Sequence, residues 1–248
     1  MARRKSLAFL DVGQGDCFAA DTKSGVIIFD GGSSSEDQVG RYRILPYMKY
    51  LGYQKIQIAV ISHMDVDHYS GIMELLEMGK IKYLGLPEIP KDEAMKKIIG
   101  IAKKRGTTIF YLSRGRQITT KDGSFKVLHP QKNSQMEKNA ASLVMQGKIL
   151  GYRVLLTGDV EKEGEEELLS EELERTDILK AAHHGSKNST SNEFLQKVQP
   201  KHTVISCGKQ NRYGHPHSET IHRLQTYHTK IYRTDQSGAI IFFKRRDG

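Results

Sequence analysis

The segment Ser62-His63-Met64-Asp65-Val66-Asp67-His68 sets four side chains of metal-binding type within six residues. Imidazole nitrogen and carboxylate oxygen are donors for Zn²⁺ or Mn²⁺, and two donor sets this close can serve two ions. An apolar run, residues 58–61, leads into the segment, and the small pair Ser70-Gly71 follows it. On a regular helix the four side chains would fan out around the axis. At the C-terminal end of a strand the chain turns, so they can converge. The pattern predicts a strand over 57–62, a ligand-bearing turn, and a helix over 70–78 closed by Gly79.

Three more segments repeat the arrangement. Val26-Ile27-Ile28-Phe29-Asp30-Gly31-Gly32 is an apolar strand ending in a carboxylate. Val154-Leu155-Leu156-Thr157-Gly158-Asp159 is another. Ile178-Leu179-Lys180-Ala181-Ala182-His183-His184-Gly185-Ser186 ends in paired histidines. Alone, an Asp-Gly pair is ordinary turn chemistry. Four strands with donors at their tips point instead to one rim, where a layered α/β fold gathers residues distant in sequence.

The elements that must position these tips alternate short apolar runs with helical patterns, which predicts α/β layers. Strands are expected over 7–11, 17–21, 26–30, 57–62, 82–86, 107–111, 117–120, 125–129, 142–147, 152–157, 178–183, 202–206, 230–233 and 238–244. Helices are expected over 42–51, 70–78, 91–104, 161–169, 191–198 and 218–227. Pro46 must start or kink the first of them. The segment Gly13-Gln14-Gly15-Asp16 reads as a tight loop near the rim, with Asp16 structural.

The 248 residues are 38% hydrophobic and 27% charged, a globular composition that excludes general disorder, and the whole chain, 1–248, reads as one domain. No apolar run approaches the roughly 18–20 residues of a membrane span. The basic start, Arg3-Arg4-Lys5, imitates an export signal, but Asp11 interrupts the apolar stretch too early. The expectation is a soluble, cytoplasmic protein. Two cysteines, Cys17 and Cys207, are too few for a disulfide framework. Net charge is +9, although residues 161–177 hold nine acids against two bases. A basic exterior attracts polyanions, nucleic acid first among them; it also serves solubility alone.

The motifs resemble those of the metallo-β-lactamase superfamily: Asp30-Gly31-Gly32, His63-x-Asp65-x-Asp67-His68, Thr157-Gly158-Asp159 and His183-His184-Gly185. Within it, the chain is most similar to the C-terminal metallo-β-lactamase-like domain of the ComEC family of DNA-internalisation competence proteins. That narrower resemblance also rests on Leu10-Asp11-Val12-Gly13-Gln14-Gly15-Asp16-Cys17, Asn139-Ala140-Ala141-Ser142-Leu143-Val144, the 179–186 segment, and Asn211-Arg212-Tyr213-Gly214-His215-Pro216-His217. It implies a four-layer αβ/βα sandwich, two mixed sheets with helices outside and a site on one edge. Two departures accompany it. The superfamily's second cluster histidine is Asp65 here, and its third-motif histidine has no counterpart, Asn139 and Ser142 standing in that segment. More oxygen among the donors moves preference toward Mn²⁺ or Mg²⁺.

Carried over residue by residue, the resemblance implies that His63 and Asp65 hold one ion and Asp67 and His68 the other. Asp159 would bridge them, His184 or else His183 would complete a shell, and Asp30 would orient the cluster from behind. Two ions about 3.5–4 Å apart would acidify a shared water, which Asp67 would hold or deprotonate. Lys180, Ser186, His215 and His217 are candidates for the substrate phosphate, with His183, Lys180 and His215 as further candidates for the catalytic machinery. The implied function is a metal-dependent phosphodiesterase or nuclease acting on DNA, single strands above all. Hydrolysis of a small phosphodiester of the choline-phosphate type, and a non-catalytic DNA-binding module with a structural metal, are the alternatives.

Overall fold

The computed structural model describes residues 4–136 and 138–245; positions 1–3 of the basic start lie outside the described residues. Two seven-stranded sheets form its centre. The first contains β1 (Ser6–Phe9), β2 (Phe18–Thr22), β3 (Gly25–Phe29), β4 (Ile56–Val60), β5 (Ile81–Pro87) and β6 (Thr108–Leu112). The second contains β7 (Gln117–Thr120), β8 (Gly123–His129), β9 (Val144–Ile149), β10 (Tyr152–Leu156), β11 (Ile178–Lys180), β12 (His202–Ile205) and β13 (Lys230–Arg233). The last strand, β14 (Ile240–Phe243), returns to the first sheet beside β1. The orders are β14-β1-β2-β3-β4-β5-β6 and β13-β12-β11-β10-β9-β8-β7. Each sheet is mixed: β3 to β6 and β10 to β13 run parallel, and the remaining pairs run antiparallel.

Strand periodicity explains the layering. Successive side chains point to opposite faces, so a strand buried on both faces reads as continuously apolar. In β3, Ile27 and Phe29 join the core shared by both sheets, with Phe125, Val127 and Val154. Val26 and Ile28 face the other way, toward Met48, Ile72, Leu75 and Ile98. These come from α1 (Leu45–Tyr50), α2 (Val66–Glu77) and α3 (Glu93–Lys104). On the far side, Leu155 of β10 and Leu179 of β11 pack against Phe194 and Leu195. That outer layer is α4 (Lys162–Leu169), α5 (Asn192–Val198) and α6 (Ser218–Thr226). The result is the expected helix–sheet–sheet–helix sandwich. No helix among the described residues is long and apolar enough to cross a membrane.

Three local differences from the sequence expectations bear on the site. Helix α2 begins at Val66 rather than 70, so Asp67 and His68 lie in its first turn; Asp65 is the N-cap, and its side chain makes no capping bond. Strand β11 stops at Lys180, and residues Ala182–Gly185 form a tight turn in which His183 and His184 both adopt left-handed backbone, φ 47° and 53°. That conformation costs a residue with a Cβ about 1–2 kcal/mol, and it turns the chain out of the strand at the rim. The helix expected over 42–51 divides into a wide π turn, Gly40–Ile44, and α1, in whose first turn Pro46 sits.

The loops that carry the tips are bound to one another. Asp30 N donates to Val60 O, Gly31 N to His68 O, and Asp16 N to Asp67 O. Leu143 N donates to Ser62 O, joining the two sheets at the rim. Gly32 makes this closeness possible: a Cβ there would lie 2.5 Å from Val66 O and 2.6 Å from His68 N. Gly32→Ala is therefore expected to cost about 1–3 kcal/mol by overpacking and to lower Tm by about 2–12 °C, with weakened divalent-ion binding. Gly100→Ala, a position with nothing within 4 Å of the added Cβ, is the calorimetric control and should leave Tm unchanged or higher.

Candidate metal centre

Three imidazoles meet at the rim, each held from behind. His63 Nδ1 lies 3.0 Å from Ser62 Oγ, His68 Nδ1 lies 3.0 Å from Asp30 Oδ2, and His184 Nδ1 donates to Ser206 O at 2.9 Å. Tying Nδ1 in this way aims the other ring nitrogen at the centre. The Nε2 atoms of His63, His68 and His184 are all buried without a hydrogen-bond partner. Asp30 also accepts from Ser62 N at 2.7 Å, so one carboxylate steadies both the turn and His68.

Carboxylates complete the cluster. Asp159 Oδ1 lies 3.2 Å from His68 Nε2, and its Oδ2 lies 3.3 Å from His184 Nε2. Asp67 Oδ2 lies 3.3 Å from the same His184 atom. Donors around a tetrahedral ion with bonds of about 2.0–2.1 Å stand about 3.3 Å apart, so these spacings suit shared coordination. Donor sets whose atoms lie within 4.8 Å of one another include His63–His68–Asp159, Asp67–His68–His184 and Asp16–Asp159–His184. The donors thus fit divalent cations, and Asp159 turns one oxygen toward each of two sets. The grouping differs from the pairing read along the chain, because His68 stands between the sets. Asp65 sits at the mouth, Oδ2 3.7 Å from His63 Nε2, with 43% of its side chain exposed.

Two residues lie deeper in the cluster than the chain pattern indicates. Asp16 is buried at the end of the glycine loop, 3.5 Å from His184 Nδ1 and 3.7 Å from His68 Nδ1. The signal was an acid wedged between Gly15 and the apolar stretch that starts at Cys17. Lys180, expected on a substrate phosphate, is only 4% exposed. Its ammonium pairs with Asp16, donates to Gly158 O at 2.8 Å and lies 3.3 Å from Asp159 Oδ1. It is an internal counter-charge with no open face for substrate. Ser186 is likewise buried, its hydroxyl accepting from Asn188 N within the turn.

The remaining candidates line the mouth. His183 Nδ1 is 2.8 Å from Glu161 Oε1, and its Nε2 is 3.8 Å from Asp159 Oδ2. His215 stacks beside His184, ring centroids 6.1 Å apart, and His217 is next to it at 4.9 Å. His217 Nδ1 accepts from Lys187 N. A groove of about 1170 Å³ opens at Asp65, Asn139 and Glu161, with Glu163, Lys187 and Arg223 also in its wall. Part of the acid-rich segment forms this wall, and Glu165 is buried, accepting from Ser191 N.

Charge decides the protonation states. Burial disfavours charge on His68 and His184, yet Asp159 outweighs it, with Asp30 beside His68 and Asp16 beside His184, and raises both well above the ordinary imidazole range. Burial likewise opposes ionisation of Asp159, but His184, His68 and Lys180 hold it well below the usual carboxylate range. Asp67, despite its burial, is brought down to about 2 by His184 and His68. His215 is pushed down to about 4 by burial and by the neighbouring His184 and His183.

The profile of the Metallo-beta-lactamase superfamily matches residues 10–209, and the chain belongs to that superfamily. ComE operon protein 3 of Bacillus subtilis (strain 168) is 37% identical over 259 residues, covering 96% of this chain and 33% of that protein. Competence protein ComA of Neisseria gonorrhoeae is 31% identical over 245 residues, covering 96% and 32%. The likeness to competence proteins read from the motifs therefore extends along nearly the whole chain, which spans about a third of the length of these relatives. Among solved structures, the metallo-beta-lactamase fold protein YhfI from Bacillus subtilis is similar with a TM-score of 0.62 at 12% identity, covering 97% of this chain and 100% of that one, a likeness of fold.

The raised imidazoles give a pH dependence with a definite sign. A group whose folded pKa lies above its unfolded value of about 6.5 contributes stability in full below that pH and loses it as pH rises through the folded pKa. The depressed Asp159 and Asp67 contribute above about pH 3.8 and lose their share on acidification. Metal-stripped protein should therefore lose stability as pH rises above about 6.5. Zn²⁺ or Mn²⁺ uptake should release protons and strengthen with pH. Thermal unfolding in EDTA and proton release during titration test this; a flat stability curve with no proton release contradicts it.

Proposed function

We propose that the protein is a metal-dependent phosphodiesterase that cleaves DNA, with single strands as its preferred substrate. The observation that carries this reading is the gathering of three unbonded imidazole nitrogens around Asp159, whose two oxygens face His68 and His184 and which shares a donor set with His63. Membership of a metallo-beta-lactamase superfamily supports divalent metal chemistry. The competence relatives and the net charge of +9 support DNA as the partner.

We assign His63, Asp65, Asp67, His68, Asp159 and His184 to hold one or two divalent ions, Zn²⁺ or Mn²⁺, with Asp30 orienting His68. Ions bound there would supply Lewis acidity toward a phosphoryl oxygen and lower the pKa of water. Asp67 accepts a hydrogen bond from the attacking water, orients it and relays its proton to solvent at the mouth. His183, its Nδ1 tied to Glu161, turns Nε2 toward Asp159 at the edge of the cluster and passes a proton to the leaving oxygen. His215, held neutral by burial and by the neighbouring His184 and His183, contacts the ester as a hydrogen-bonding ring, with His217 beside it at the rim. Lys180 and Asp16 keep Asp159 in place from the buried side.

The acidic groove at Asp65 favours a second reading, hydrolysis of a small phosphodiester with a cationic alcohol of the choline type. Labelled single-stranded DNA and a chromogenic small diester, each with Mn²⁺, Zn²⁺ or Mg²⁺, separate the two. DNA cleavage by the wild type should vanish in the double variant Asp67→Ala/His68→Ala, and Asp30→Asn should lose about 10–100-fold in metal affinity or rate. Rapid turnover of the small ester with intact DNA favours the second reading, and unaltered cleavage by the double variant defeats both.

A further inference from the structure

A ladder of nearly parallel rings leads outward from the donor cluster. His215 stacks on His184 with planes 30° apart. Tyr213 continues the ladder, 5.7 Å and 22° from His215. Tyr213 is 42% exposed as a residue and belongs to none of the three apolar clusters among the described residues. Arg212 places its guanidinium 4.8 Å from the centre of that ring and donates to its hydroxyl at 2.6 Å. The loop beneath is braced: the Asn211 amide donates to Gly208 O and His215 O, and accepts from His215 N. The loop is therefore held in place, and its outermost ring contributes little to the core.

A flat ring beside a guanidinium, one imidazole removed from a phosphoryl-transfer cluster, has the chemistry that receives a nucleobase. The base stacks on the ring, and the neighbouring phosphate meets the cation. The charge distribution agrees. The groove at Asp65 and Glu161 is lined by six acids and three bases and repels a phosphate chain. Residues 209–217 hold Lys209 and Arg212 and no acid. Resting on the DNA-cleaving reading above, we infer that Tyr213 and Arg212 form a stacking step for one unpaired base of a single-stranded DNA substrate, flanking the nucleotide whose phosphate enters the donor cluster. A base entering there exchanges the Arg212–Tyr213 contact for its own faces. Bases in a duplex are already stacked on their neighbours, so the step selects unpaired strand.

The probe is a fluorescein-labelled oligothymidylate with phosphorothioate linkages, compared with a polymer of the same length made of abasic units, each bound to Mn²⁺-loaded protein. Tyr213→Ala should weaken oligothymidylate binding about 5- to 100-fold. Tyr213→Trp should retain it, and the abasic polymer should bind wild type and Tyr213→Ala alike. Tyr213→Leu, which keeps bulk without a π face, gives the same comparison if the alanine variant does not fold. Equal binding of oligothymidylate by wild type and both non-aromatic variants overturns the step, as does an equal loss on the abasic polymer. Wild-type protein that cleaves DNA while those variants bind it normally overturns the step alone. Wild-type protein that neither binds the oligonucleotide nor cleaves unmodified single-stranded DNA overturns the reading beneath it as well.

Discussion

Concentrated buried negative charge is the constraint around which the rim is built. Asp16, Asp30 and Asp159 are each 4% exposed or less, and they lie within reach of one another's imidazole partners. An isolated buried carboxylate costs several kcal/mol, so the fold must bring cations to it. One is permanent: Lys180, buried with its ammonium on Asp16 and Asp159. Two are conditional, His68 and His184, whose protons balance the cluster in the absence of metal. A divalent ion held there would replace those protons and leave the lysine in place. This is why the same residues that stabilise the rim can also make it a binding site.

The fold supports that balance through its strand ends. Parallel β3 and β4 end at Asp30 and at the turn before α2, while β10 and β11 end near Asp159 and the paired histidines. Backbone bonds between the loops, rather than long side chains alone, set the donor spacing. Glycines at the close approaches let those loops touch.

The strand tips were legible because an apolar run followed by a donor is a local pattern. Asp30, His63, His68, Asp159 and His184 all carry it, and the two-sheet architecture followed from the motifs they share. What stayed hidden depends on contacts between distant segments. Asp16 looked like a turn residue because its partners, Lys180 and His184, lie more than 160 positions away in the chain. Lys180 looked like a phosphate ligand because nothing in its neighbours announces the carboxylates that enclose it. The early start of α2 was missed because donors occupy its first turn, where polar residues also suit a loop. The left-handed pair His183–His184 has no glycine to signal it; the surrounding bonds, His183 N to Gly158 O among them, hold it there.

The donors divide between the two sheets: His63 and His68 follow β4, whereas Asp159 and His184 follow β10 and β11. The seam between the sheets therefore works as a vernier for the cage. Phe18 packs edge to face on Phe125 at 6.3 Å in that seam, one of the contacts that hold the two halves in register. A slip too small to unfold the protein would still spread the cage beyond the reach of a single cation. Core packing between the sheets and the spacing of the candidate donors are thus one geometric problem.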